Sequence, residues 1–212
     1  MNAARVLVLG SPGAGKTALA RTLAAVTGLP LHHLDDEYWG AGWARPAEQD
    51  WRRRQTELIS RPEWIIEGNY LPTIALRATR AELAVIVDAP TALCLVRAVR
   101  RAWRIHRGDF GALPERVRAD TVTGTPVRAT RDFPALLAKI ARFRRRDLPV
   151  VVAEAGRHGA TVVLAATRTR ATRTWCARHQ LSPRVVPLPE AGSASADLCR
   201  LVHHRSTRGG AA

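Results

Sequence analysis

The chain has 212 residues, with 33 Lys and Arg against 18 Asp and Glu and a formal net charge of +15; that is length for one α/β domain with a full core, not for two independent ones. Cys94, Cys176 and Cys199 form no C-x-x-C pair, which argues against a disulfide framework or a zinc site and fits a reducing, cytoplasmic setting. No basic-then-apolar leader and no apolar run of membrane-spanning length is present, so we expect a protein that does not enter the bilayer.

The charge invites a polyanionic partner. Yet only Lys16 and Lys139 are lysines, and the remaining basic residues are arginines scattered through an Ala/Arg-rich sequence. Compositional drift accounts for that pattern as readily as a nucleic-acid surface does.

Residues 5–9 read as a buried strand that runs straight into Gly10-Ser11-Pro12-Gly13-Ala14-Gly15-Lys16-Thr17. This fits G-x-x-x-x-G-K-[ST] in full: glycines let backbone N–H groups turn around a phosphate, and the following helix adds its positive end. Lys16 is expected on the β- and γ-phosphates and Thr17 on Mg²⁺. The nucleotide-binding positions are thus Gly10, Gly13, Ala14, Gly15, Lys16, Thr17 and Ala18.

A helix follows over 16–27, with Leu19, Leu23 and Val26 at helical spacing and Gly28 as its stop. A second strand over 31–34 delivers Asp35, Asp36 and Glu37 to the sheet edge where ligands collect. His32 and His33 alternate along it and point to opposite faces. The stretch 38–51 reads as a loop carrying Tyr38, Trp39, Trp43 and Trp51, the last of these on a helix from about 47 to 60 that packs on the sheet. Strands are expected over 64–67 and 83–87.

A helix over 91–107 then sets Arg97 and Arg101 four apart on one face. Between Arg97 and Arg146 fourteen basic residues face four acidic ones, and glycines and prolines break the part after Arg107 into a long loop, of the kind that is often functional. Helices over 133–146 and 149–158, a fifth strand over 161–165 and a helix over 168–179 complete the pattern. Residues 182–212 read as a loosely packed or disordered tail. The expected architecture is a three-layer α/β P-loop fold with a five-stranded, mostly parallel sheet.

A GTPase needs an [NT]-K-x-D motif, and neither lysine makes one. An oligomeric or motor ATPase needs a strand ending in Asp-Glu, which is absent, and a longer chain. A small kinase needs a phosphate loop, an acid near the acceptor, an arginine-rich lid and a loop that cradles the donor base, and all four have candidates. The competing class is a nucleic-acid-associated NTP-binding protein that uses the Arg-rich segment on backbone phosphates.

The residues His33-Leu34-Asp35, Trp39, Trp43, Trp64-Ile65-Ile66-Glu67-Gly68-Asn69-Tyr70, Arg77, Val85 to Pro90 and Cys94 to Arg97 resemble the small adenylate-kinase-like P-loop proteins often labelled DNA topology modulation proteins. The likeness spans about residues 5 to 180, with Glu67 and Glu82 standing where that family has Asp. It implies an ATP- and Mg²⁺-dependent kinase acting on a nucleoside monophosphate or a hydroxylated metabolite; we expect a monomer or homodimer. It also implies Asp35, or else Asp36, as the acid that orients the acceptor or a metal-bound water. By the same resemblance Gly68, Asn69, Tyr70 and Arg77 line the acceptor side in a subdomain of about 36–80, and Trp39 and Trp43 close it. Arg97 and Arg101 act as lid arginines beside a lid of about 107–132 that adds Arg116, Arg128 or Arg131, and Ala166 to Thr169, with Arg168, lies beside the adenine.

Overall fold

The computed structural model describes residues 3–40, 43–111, 113–115, 117–118, 133–167, 169–178, 183–188, 198 and 201–202. Its first strand, β1 (Arg5–Gly10), buries Val6 and Val8 on one face of the sheet and Leu7 and Leu9 on the other. Burial on both faces is the mark of a parallel sheet enclosed by helices. After β1 come α1 (Lys16–Thr27), β2 (Leu31–His33), α2 (Leu34–Tyr38), α3 (Glu48–Ser60), β3 (Trp64–Glu67) and α4 (Ile74–Ala78). Then follow β4 (Leu83–Asp88), α5 (Thr91–His106), α6 (Phe133–Arg142), α7 (Leu148–Gly156), β5 (Thr161–Ala166), α8 (Thr169–Arg178) and β6 (Arg184–Pro187). A π-helical stretch, Phe143–Asp147, joins α6 to α7.

All strands are parallel, in the order β2-β3-β1-β4-β5-β6. One face packs Leu19, Leu23, Cys94, Ala98 and Ile140 from α1, α5 and α6 onto Val6, Val8, Val85 and Val163. The other packs Trp51, Ile59, Ile74, Leu148, Val151 and Cys176 onto Leu7, Leu9, Ile66 and Leu164. The chain crosses from β3 on one side of β1 to β4 on the other, so the crevice at the carboxyl ends opens at β1, where the phosphate-type loop begins.

Two local expectations are corrected. The sheet has six strands, not five: β6 is four residues long and proline-flanked, and it holds because an edge strand leaves one row of backbone groups unpaired, where proline is tolerated. Val186 is buried there, and Ala3 bridges to Val202, so these described parts of the expected tail pack on the domain. Secondly, Asp35, Asp36 and Glu37 lie in the short helix α2, closed by the Trp39 N–H on the Asp35 carbonyl (3.1 Å), and not in an open strand end. Among the described residues no helix is long and apolar enough to cross a membrane.

Candidate active site

The loop after β1 is wedged between two backbone segments. Gly10 and Gly13 adopt left-handed φ of 138° and 79°, and a Cβ on either would stand 2.5 Å from a carbonyl oxygen, that of Val87 or Cys94; only glycine fits. Asn69 braces the loop from β3's end, its Nδ2 donating to the Gly10 carbonyl (2.7 Å) and its Oδ1 accepting the Gly10 N–H (2.9 Å). Gly15 precedes α1 in a left-handed conformation, and no side chain caps the helix. Its leading N–H groups, Lys16, Thr17 and Ala18 among them, are thus open to an anion.

Cations gather at this end. Lys16 Nζ donates to the Ser11 carbonyl (3.1 Å) and lies 3.9 Å from Glu67 Oε1. Burial pushes its ammonium below the usual lysine range; Glu67 and Asp35 pull it back up, while Arg101 and Lys139 press it down further. Arg97 lies across the loop, with Nη1 3.3 Å from the carbonyls of both Gly13 and Ala14. Lys139, which sequence reasoning did not consider for the site, acts electrostatically on Lys16 together with Arg101. Its one signal was being the second of only two lysines.

Glu67 is the other residue missed. Its Oε2 accepts the Thr17 hydroxyl (3.2 Å) and lies 3.0 Å from His33 Nδ1. Burial alone would push the carboxyl up, and the His33 hydrogen bond, Lys16 and Thr17 together outweigh it, so it titrates below the usual range. The signal was available: an acid at the carboxyl end of β3, next to the loop. His32 faces away, 3.3 Å from Arg61.

Asp35 and Asp36 separate. Asp35 is exposed, accepts the Tyr70 hydroxyl on Oδ1 (2.9 Å) and acts electrostatically on Lys16. Asp36 Oδ1 instead accepts the Glu115 N–H (2.8 Å). Asp36, the second candidate of the sequence, thereby fastens the described part of 109–118, in which Leu113 and Val117 are buried. Residues 119–132 of the expected lid, together with Arg116 and Arg168, lie outside the described residues.

Arg77 is also corrected. It is 0 % exposed, and its guanidinium donates to Gln55 Oε1, to Thr73 Oγ1 (3.0 Å) and to the Asn69 carbonyl, so it shapes the turn after β3 from beneath and does not line an open face. Gly68 (φ 136°) sits under Leu34, whose Cβ would be 2.9 Å from an added one. Tyr70, Trp39 and Trp43, expected on an acceptor side, form one cluster with Tyr38 and Trp51: Tyr38 contacts Trp39, Trp51 and Tyr70 at ring-centroid separations of 4.9, 5.0 and 4.6 Å, and Trp39 contacts Trp43 at 5.1 Å.

The residues fit a nucleoside triphosphate with Mg²⁺. An uncapped helix start and converging cations call for a polyanion, and Thr17 Oγ1 with Glu67 Oε2 offers two hard oxygens 3.2 Å apart. Among the described residues no three His, Cys, Asp or Glu side chains form a metal cage.

No protein-family model and no curated protein matches the chain. Solved structures resemble it at low identity. Shikimate kinase from Acinetobacter baumannii, in complex with shikimate, is 21% identical, with 82% of this chain and 88% of that one covered and a TM-score of 0.47. An unliganded sugar kinase from Janibacter sp. HTCC2649 is 17% identical, with 71% and 96% covered and a TM-score of 0.36.

Proposed function

We propose that this chain is a phosphotransferase that moves the γ-phosphoryl group of ATP to a hydroxyl of a small acceptor, a nucleoside monophosphate or a hydroxylated metabolite. The observation that carries the reading is the charge imbalance at Lys16: a largely buried ammonium at an uncapped helix start, with Arg97 across the same loop, pressed further by Arg101 and Lys139 and only partly offset by Asp35 and by Glu67, 3.9 Å away. A triphosphate removes that imbalance, since phosphate oxygens pair with the ammonium and with the helix N–H groups.

The roles follow from position. Lys16 and the loop N–H groups hold the phosphates, and Arg97 and Arg101 spread the charge of the transferring group. Thr17 and Glu67 would hold Mg²⁺, which when bound neutralises phosphate charge. Asp35 takes the proton of the acceptor hydroxyl as its oxygen bonds to the γ-phosphorus; the bond from that phosphorus to the bridging oxygen breaks, and ADP leaves with the electron pair. Tyr70 holds the carboxylate in place for this.

Incubation with γ-labelled ATP, Mg²⁺ and a panel of alcohols, sugars, nucleosides and nucleotides tests the reading. Label should appear in an organic acceptor with the wild type and not with Lys16→Ala. Tight ATP binding with no transfer to any member of the panel would sink it.

A further inference from the structure

Building on the phosphotransferase reading, we infer that the acceptor is an uncharged, hydroxyl-bearing ring compound that stacks on the wall of Tyr38, Trp39, Trp43 and Tyr70, and that an acceptor already carrying a phosphate is disfavoured. The first ground is concentration. Aromatic residues are 5% of the chain, yet both of its tyrosines and three of its six tryptophans meet in one contiguous cluster. Trp51 is buried beneath it, and the four named rings keep part of their surface open. Tyr70 joins this cluster to Asp35 through its hydroxyl, so the wall begins where the acceptor proton leaves.

The second ground is strain. Trp43 (φ 63°) and Tyr70 (φ 37°) are the two non-glycine residues with left-handed backbone among those described, and they stand at opposite ends of the wall. Bulky side chains hold such a conformation only where the surroundings impose it, and such sites gather around ligands. Pleated apolar ring faces accept the C–H face of a sugar-like ring or a flat base, and Asp35 accepts one of its hydroxyls.

The third ground is charge. A phosphomonoester acceptor would bring about two negative charges next to Asp35 and within reach of Glu67, and needs a guanidinium clamp to offset them. Arg77, at the expected position for one, is fully buried, and its Nη1 and Nη2 donate to Gln55, Thr73 and the Asn69 carbonyl inside the core. Arg54 donates to the Glu37 carbonyl (2.8 Å). Arg45 lies on the ring face of Trp39, 5.6 Å from its centroid.

Calorimetric titration of matched pairs, in the presence of a non-hydrolysable ATP analogue and Mg²⁺, tests this directly: glucose against glucose 6-phosphate, myo-inositol against inositol 1-phosphate, and adenosine against AMP. The uncharged member of at least one pair should bind about tenfold or more tighter than its phosphate. Trp39→Ala and Trp43→Ala should each weaken it about tenfold with unchanged affinity for the analogue, which shows that the variants are folded; Trp39→Phe should restore most of the loss. Tighter binding of the phosphorylated members, no binding of any uncharged member, or binding indifferent to both tryptophans overturns the inference. A preference for phosphates that vanishes in Arg45→Gln would identify Arg45 as the clamp and overturn it equally. Transfer of label to a phosphorylated acceptor defeats this inference while sparing the phosphotransferase reading, whereas binding of an uncharged ring without transfer to any acceptor defeats that reading instead.

Discussion

Tyr70 holds Asp35: its hydroxyl donates to Oδ1 across 2.9 Å, from a backbone φ of 37° that few tyrosines adopt. Burial and then the Asp35 charge push the phenol well above its usual range, so the hydroxyl remains a proton donor throughout the assayable pH range. Tyr70→Phe removes one hydrogen bond to a charged group, worth about 1.5 kcal/mol, and kcat should fall roughly tenfold. KM for ATP should not change. Steady-state kinetics checks both, and an unaltered kcat would show that Asp35 needs no such support.

Lys16→Met separates function from folding. Loss of the phosphate-holding ammonium should lower phosphoryl transfer by about 10²- to 10³-fold, the range for a group that stabilises transition-state charge. Stability should be equal or higher, because burial penalises the charged lysine in the fold. Urea unfolding beside the transfer assay reads both effects; a destabilised variant would mean that the Ser11 and Glu67 contacts matter more than the burial.

Acid should reveal Glu67. Its carboxyl is held below the ordinary value of 4.5, so the folded state favours the ionised form. That contribution is complete above the unfolded value and is lost as pH falls below it toward the folded one. Wild-type stability should therefore decline as pH drops through and below 4.5, and Glu67→Gln, though less stable at neutral pH, should decline less over that window. Unfolding curves that stay parallel between about pH 7 and about pH 3 would refute the assignment.

Two glycines with positive φ offer a matched comparison. Gly10 has the Val87 carbonyl oxygen 2.5 Å from an added Cβ, whereas Gly159 (φ 87°) has nothing within 4 Å. Gly159→Ala should cost about 1 kcal/mol for the backbone conformation alone. Gly10→Ala adds a clash with fixed backbone and should cost about 3 kcal/mol or more, with nucleotide affinity lost alongside. Equal melting shifts in the two variants would mean that the loop can move off β4.

Sequence patterns read the central sheet and the phosphate loop well because both are local. Val6 to Leu9 feeding Gly10, and Gly15-Lys16-Thr17 opening α1, need no tertiary information. Choosing between Asp35 and Asp36 did need it: neighbours on a helix point about 100° apart, and only the position of Glu115 shows which one is occupied. Arg77 was misread because arginine is ordinarily a surface residue, and the partners that let it be buried come from α3, 22 positions earlier, and from backbone carbonyls. Glu67 was passed over in favour of the more conspicuous acidic triplet. The edge strand β6 was hidden by its own prolines.

One chain of hydrogen bonds reaches from the phosphate loop to the acceptor side: Gly10 to the Asn69 side chain, the Asn69 carbonyl to Arg77, and Arg77 to Gln55 on α3. The two sides of the crevice are therefore not interchangeable parts. Replacing residues 48–78 as a block would leave the buried Gly10 N–H and carbonyl without a partner unless an amide side chain stood again at the place of Asn69. On the phosphotransferase reading, acceptor choice in this scaffold changes by substitution at the rings of Tyr38, Trp39, Trp43 and Tyr70, with that internal brace inherited whole.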